Sequence, residues 1–170
     1  MSDRIVPLDG FDWEHFSPKD RATLLFVFRG MGQEREVLLI RKKRGLGAGK
    51  VNAPGGKLEG AETPLAAALR ECEEEVGLQV EKAKRAGELS FQFEDGYSLH
   101  CTVFTAEEYE GKAVETDEAI PFWVPIEDIP YDEMWADDHL WIPRLLAGEA
   151  FQGFFFFRGD ELLSEDLRCC

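Results

Sequence analysis

The sequence predicts an α/β (α+β) fold in which a sheet carries two helices. Three observations lead there. Short apolar runs rich in β-branched and aromatic residues recur along the chain, bounded by glycine and other turn residues. Two segments, Pro64–Val76 and Asp137–Leu146, follow helical spacing instead and lie far apart among the strands. Strands mixed with separate helices pack in layers, each helix burying its apolar stripe on a sheet face. No repeat, low-complexity tract or Pro/Ser-rich linker divides the chain. One domain over residues 21–170 is therefore expected, after a polar N-terminal extension over 1–20 that holds Pro7 and Pro18.

Thr23–Arg29 (TLLFVFR) and Glu36–Arg41 (EVLLIR) read as strands, with Gly30 and Gly32 marking the turn between them. Arg41–Lys50 (RKKRGLGAGK) is a basic, glycine-rich loop, and Ala53-Pro54-Gly55-Gly56 continues as irregular chain. The helix that follows has clear ends. Thr63 suits its N-cap, Pro64 its first position and Gly77 the position just past its C-terminus. Leu65, Leu69, Cys72 and Val76 recur at helical spacing and form the expected buried stripe. Gly87–Glu94 and Ser98–Ala106 read as a hairpin turned at Asp95-Gly96. Ala119–Val124 is a further short strand. In the second helix Pro143 is positioned to kink or shorten it, and Gly148 follows its end. Ala150–Phe157 closes as a strand whose run Phe154–Phe157 suits burial on both faces.

Composition narrows the function classes. No apolar run approaches the roughly 18 residues a membrane helix needs. The start MSDRIVPLDG lacks the basic and then apolar order of a signal peptide, so a cytoplasmic protein is expected. Cys72, Cys101, Cys169 and Cys170 form no C-x-x-C pair, which speaks against a zinc site. Cys72 and Cys101 read as small buried hydrophobes and the terminal pair as exposed thiols. The net charge is −15, from 34 acidic against 19 basic residues. Such a surface repels polyanions, so no long nucleic acid is expected as a partner. A small anion remains compatible when a divalent cation bridges it to the protein.

The acids are densest inside the first helix. Glu71, Glu74 and Glu75 are spaced i, i+3, i+4 and share one face, with Glu73 directed elsewhere. Alone, such a run also fits a solvated acidic face. A divalent metal is the other way to offset the mutual repulsion, because hard cations take carboxylate oxygens and keep waters that can be activated.

The flanking residues favour the metal. Gly56, Glu62, Arg70-Glu71-Cys72-Glu73-Glu74-Glu75-Val76-Gly77-Leu78 follow the order G-x5-E-x7-R-E-U-x-E-E-x-G-U, where U is bulky and apolar. This resembles the full Nudix box, with Cys72 a mild departure at the first U. The resemblance implies a Nudix α/β/α sandwich with a mixed central sheet, and hydrolysis of a nucleoside diphosphate linked to another group. It implies that the Gly55 carbonyl, Glu71, Glu74 and Glu75 bind Mg²⁺, with Mn²⁺ as a substitute. It also implies that Arg70 pairs with Glu62 to orient the glutamates, with Gly56 and Gly77 structural.

Beyond the box, Asp132–Pro143 (DEMWADDHLWIP), Phe151–Phe156 and Lys42–Gly49 resemble the mammalian MutT-homologue group. Members of that group hydrolyse oxidised purine nucleoside triphosphates to monophosphate and pyrophosphate, sanitising the nucleotide pool. The resemblance implies that Asn52 hydrogen-bonds the purine, Trp135 stacks on it, and Asp137 and Asp138 read its edge. Phe91 and Thr23 would line the pocket, Lys42 would lie at its mouth, and Glu118 would be a further metal or water-handling carboxylate. Read singly, these residues also fit blander roles: Trp135 a packed lid residue, Asp137 or Asp138 a helix N-cap, Asn52 a turn residue, Glu118 a surface acid. The chain departs from the group at Leu46, Val51 and Pro54, where aromatic residues are typical.

Two rival readings fit the same residues. One keeps the box but acts on RNA 5′-pyrophosphates, for which Lys42, Lys43 and Arg44 offer a landing site, or on dinucleoside polyphosphates. The other is a Nudix domain that binds nucleotides without turning them over.

Overall fold

Alternation along the first two long strands decides which faces of the sheet need cover. A computed structural model describes residues 11–169. In it β1 (Asp20–Arg29) sends Leu25 and Val27 to one face and Phe26 and Phe28 to the other, all buried. β2 (Glu36–Lys42) likewise divides Leu38 and Ile40 from Val37 and Leu39. Strands apolar on both faces require a layer on each. α1 (Pro64–Val76) covers the Leu25 face through Ala68, Cys72 and Val76, and α2 (Asp138–Leu146) covers the Phe26 face through Trp141, Ile142 and Leu145. The expected α/β/α sandwich is present.

Its sheet is mixed, as expected. β3 (Val51–Asn52), β2, β1, β6 (Ser98–Ala106), β5 (Lys84–Phe93), β8 (Phe151–Arg158) and β9 (Glu161–Cys169) lie side by side in that order. β4 (Gly55–Lys57) joins β1, and β7 (Ala119–Pro125) joins β2. The β1–β6 and β5–β8 pairs are parallel. β1 changes partner along its length: its end pairs with β2 at Phe28↔Val37, and its start pairs with β4 at Leu24↔Gly55. Residues beside that change, Leu24, Ile40, Asn52 and Gly55, line the cleft described below.

Five expectations need correction. β1 begins at Asp20, ahead of the expected Thr23 and inside the stretch expected as an extension. Gly55–Lys57 is a strand rather than irregular chain. Glycines carry no alternation to read, and the pairing rests on close approach, since a Cβ on Gly55 would stand 1.9 Å from the Thr23 carbonyl oxygen. Leu65 is 40% exposed, so it is no part of the buried stripe. The helix packs through the small Ala67 and Ala68 instead, which let it lie close to the sheet. β9 follows the last expected strand; it is an edge strand with mostly polar or half-buried positions, so its alternation is faint. Finally, β5 begins at Lys84, ahead of the expected Gly87, across a bulge between Arg85 and Gly87.

Phe155, Phe156 and Phe157 are buried and Phe154 half-buried. The second face of this run is covered by the segment before β1. Trp13 meets Phe154 at a ring-centroid distance of 5.2 Å, and Phe11 meets Phe156 at 5.7 Å. The first half of the expected extension, with Pro7, lies outside the described residues, as does Cys170. Cys72 and Cys101 are buried free thiols and Cys169 is exposed. Among the described residues no helix is long and apolar enough to cross a membrane.

Candidate active site

The helix that carries the glutamates is fixed at both ends by its own sequence. Thr63 Oγ1 accepts the Ala66 N–H at 3.2 Å, and Gly77, at φ +73°, donates its N–H to the Glu73 carbonyl at 2.9 Å. Arg70 then ties the helix to the loop before it. Its Nε and Nη2 donate to the two carboxylate oxygens of Glu62 at 2.7 and 2.8 Å, and Nη2 also reaches the Lys57 carbonyl at 3.2 Å. Nη1 donates to Glu71 at 2.9 Å and Glu74 at 3.0 Å. The guanidinium beside it, with the Glu59 N–H, holds the Glu62 carboxyl down at about 2. This fork-to-fork pair therefore stays ionic across the physiological range.

Three carboxylates converge beside this clamp. Glu71, Glu75 and Glu118 each bring one oxygen within 4.8 Å of the others. Glu75 is 4% exposed and its Oε2 has no hydrogen-bond partner. Burial, and then the charge of Glu71, push Glu75 up to about 8, against the pull of Lys42. Burial also raises Glu71, outweighing its bond from Arg70. Buried carboxylates packed this closely resist ionisation, and a hard dication relieves both the burial and the repulsion. The all-oxygen donor set and the orphaned Glu75 oxygen fit such an ion. Glu118 arrives on a loop pinned to α1: Thr116 Oγ1 donates to the Glu75 carbonyl at 2.6 Å and accepts the Glu118 N–H at 3.2 Å. Glu74 stands apart from the three. Its side chain is 50% exposed and turned to Arg70.

Gly56 leaves room for this arrangement, because a Cβ there would lie 2.5 Å from Glu71 Cδ and 2.7 Å from both its oxygens. Gly56→Ala is expected to displace Glu71 and lower kcat by about 10–100-fold, as misplacement by an ångström does. The variant should keep its Mg²⁺-free melting temperature within a few degrees, which calorimetry checks. Wild-type turnover in Gly56→Ala would remove Glu71 from the site.

A cleft with a cavity of about 140 Å³ opens next to the carboxylates. Every residue expected to meet substrate lines it: Thr23 and Lys42 on the carboxylate side, then Asn52, Phe91, Trp135, Asp137 and Asp138. Asn52 Oδ1 accepts the Ala53 N–H at 2.9 Å, which leaves its NH₂ as the free donor. Trp135 is propped by edge-to-face contacts with Phe93 and Phe157, at 6.1 and 5.6 Å. Asp137 occupies the helix-start position but its side chain caps nothing, so the N-cap role does not hold. It accepts the Trp141 Nε1–H at 2.8 Å instead. Asp137 Oδ1 and Asp138 Oδ2 are buried without partners, as is the Thr23 hydroxyl. Burial pushes Asp137 up to about 6, and burial together with the charge of Asp137 pushes Asp138 well above the carboxylate range.

Of the three departures from the aromatic pattern, Leu46 lines the cleft, Val51 is fully buried, and the Pro54 carbonyl accepts the Leu25 N–H at 2.8 Å. One group at the cleft was not anticipated. The Tyr97 hydroxyl donates to Asp20 Oδ2 at 2.9 Å and Lys57 Nζ lies 3.1 Å from the same oxygen, with Tyr97 and Lys57 both lining the cleft. Lys57 follows the Gly55-Gly56 pair directly, which was a usable signal. No spacing links it to Asp20, which lies in the stretch read as an extension.

The NUDIX domain family matches residues 18–145, a span that holds the box and the carboxylate cluster. The chain is 44% identical over 134 residues to an oxidized purine nucleoside triphosphate hydrolase of Danio rerio, covering 78% of this chain and 86% of that protein. It is 40% identical over 138 residues to the Mus musculus protein of the same name, covering 80% and 88%. Among solved structures, a MutT protein from Bacillus halodurans is similar at TM-score 0.76 and 30% identity, over 87% of this chain and 97% of that one. The chain belongs to the NUDIX hydrolase family.

Proposed function

We propose that the protein hydrolyses oxidised purine nucleoside triphosphates such as 8-oxo-dGTP to the monophosphate and pyrophosphate, with Mg²⁺ or Mn²⁺, and so cleanses the cytoplasmic nucleotide pool. The observation that carries this reading is the Asp137–Asp138 pair, with two orphaned buried oxygens on an aromatic-walled cleft. Two carboxyls pushed apart in acidity share a proton at neutral pH, so Asp138 donates while Asp137 accepts. Oxidation at C8 gives guanine an N–H at position 7 in place of a bare acceptor. A cleft with a buried acceptor rewards that N–H, and leaves its own oxygen unpaired when the N–H is missing. The two curated relatives named for this activity support the same substrate class.

Each part of the chain then has a task. Trp135 supplies a stacking wall, worth about 1–3 kcal/mol per base, and Asn52 donates from its NH₂. Glu71, Glu75 and Glu118 would hold the metal, and the family resemblance adds the Gly55 carbonyl to the set. Bound there, the ion would draw charge from the phosphate chain and acidify a water. Glu75, buried with an unpartnered Oε2, would be held ionised by the metal, and a carboxylate of the cluster orients the attacking water or takes its proton. Water adds to a phosphorus of the chain, the anhydride P–O bond breaks, and pyrophosphate leaves. Arg70 keeps Glu71 aimed and shares Glu74 in the same clamp. Lys42 places positive charge at the cleft.

The test is kcat/KM on 8-oxo-dGTP and dGTP side by side, with products identified. A preference above about tenfold, or ~1.4 kcal/mol of transition-state discrimination, with monophosphate and pyrophosphate formed, is expected. Slow and equal hydrolysis of both would overturn the lesion-specific reading and turn attention to RNA 5′-pyrophosphates and dinucleoside polyphosphates. Binding without turnover would overturn the enzymatic one.

A further inference from the structure

We propose that Arg44 is a two-position residue of the active site: it holds Glu118 while the site is free of metal, and transfers to the diphosphate tail when metal and nucleotide are bound. The inference rests on the proposed function, because it needs a substrate with such a tail.

Three cations stand near the carboxylates, and they are not equivalent. Arg70 is locked by bonds to Glu62, Glu71, Glu74 and the Lys57 carbonyl. Lys42 Nζ donates to the Leu46 carbonyl at 2.9 Å, within its own loop. Arg44 has a single hydrogen-bond partner among the described residues, Glu118, from Nη2 at 3.1 Å. That partner is one of the three clustered carboxylates. The side chains of the pair are 66% and 36% exposed. An exposed pair of this kind contributes little and opens readily.

The backbone around Arg44 is fixed even though its side chain is not. The Lys43 N–H donates to the Glu118 carbonyl at 3.0 Å, and Lys43 Nζ donates to the Thr116 carbonyl at 2.7 Å. The loop is closed on itself from Gly49 N–H to the Lys42 carbonyl at 2.8 Å. Arg44 therefore swings on a held pivot, a rotamer change and no more. A dication taken by Glu118 repels the guanidinium and competes for its oxygen. Phosphate oxygens arriving beside that dication accept the guanidinium fork at two points, where Glu118 takes a single bond at 3.1 Å. In a chain of net charge −15, a polyanionic tail needs such local cations.

The device has opposite signs for its two ligands, and that is its test. Arg44→Gln and Arg44→Lys are compared with wild type by calorimetric titration. Mn²⁺ alone should bind Arg44→Gln about 2–5-fold more tightly, the release of a weak competing pair. Inorganic pyrophosphate added in the presence of Mn²⁺ should bind it about tenfold more weakly. 8-Oxo-dGMP, which has no diphosphate tail, should bind within twofold of wild type and certifies an intact cleft. Arg44→Lys, which keeps the charge without the fork, should fall between. Unchanged or weaker Mn²⁺ binding overturns the proposal, and so does unchanged pyrophosphate binding. A loop that merely misfolds weakens all three ligands together. Failure of the functional reading shows separately, as wild type that does not bind 8-oxo-dGMP, and the Mn²⁺ and pyrophosphate titrations still decide the role of Arg44.

Discussion

Glu75→Gln is expected to lower kcat/KM by about 10²–10⁴-fold, the range for loss of a positioned general base or metal-handling carboxylate, while Glu74→Gln costs about tenfold or less. Spacing gives the two residues the same face, and the family resemblance gives them the same role. The structure separates them: Glu75 is buried in the cluster with an unpaired oxygen, and Glu74 is half-exposed on Arg70. A stability measurement makes the same distinction. Glu75 is raised from 4.5 to about 8, so the native state holds its proton more tightly than the unfolded chain does. Stability from this group is complete below about 4.5 and is lost as pH rises through 8. In EDTA, Glu75→Gln should therefore melt higher than wild type at pH 9 and about equal to it at pH 5. Equal losses of activity in the two variants, or a Glu75→Gln protein that melts lower at pH 9, would sink the assignment.

How much of this was legible depended on the distance over which each signal acts. α1 was read to the residue, because Thr63, Pro64 and Gly77 are local signals that decide helix ends within a turn. The box likewise lies within one stretch of chain, so its clamp from Arg70 to Glu62 was open to reading. β4 was missed because a glycine strand shows its reason only across the sheet, where Thr23 leaves no room for a Cβ on Gly55. The difference in burial between Glu74 and Glu75 is illegible for a related cause. Both lie on one helix face at 100° per residue, and only the position of the sheet and of the 116–118 loop decides which is covered. The Asp20–Tyr97–Lys57 group joins three separate strands or turns, and the Arg44–Glu118 pair spans 74 residues. Neither leaves a pattern in the order of the residues.

Asp137→Asn is expected to cost about 3–30-fold more activity than Asp138→Asn at neutral pH, although the residues are adjacent and both buried. The proton the pair shares belongs to Asp138, which burial and the charge of Asp137 hold well above the carboxylate range. A protonated carboxyl and a carboxamide are alike in shape and each offers one acceptor and a donor, so Asp138→Asn keeps most of what the cleft presents. Asp137 is different. Its Oδ2 accepts from Trp141 and its Oδ1 is left to accept from a ligand. An amide there turns its NH₂ against the Trp141 N–H or against the ligand's own donor. Losing a hydrogen bond to a charged acceptor costs about 1.5–3 kcal/mol. kcat/KM on 8-oxo-dGTP should therefore fall by about 10–100-fold in Asp137→Asn, and by only a few-fold in Asp138→Asn. Thermal stability carries an independent mark of the shared proton. Asp137 is raised from 3.8 to about 6 and Asp138 further, so the native pair binds more protons than the unfolded chain between those values. Stability then falls as pH rises from about 4 through 6 and beyond, by up to ~1.4 kcal/mol per pH unit for each group, or roughly 3–6 °C for a domain of this size. Asp138→Asn removes the higher of the two titrations and should flatten the upper part of the profile, melting above wild type at pH 8 in EDTA. Profiles of wild type and Asp138→Asn that coincide from pH 5 to 8 would mean that no proton is shared. The cleft would then read its base with two negative charges, which an N–H can satisfy only one at a time.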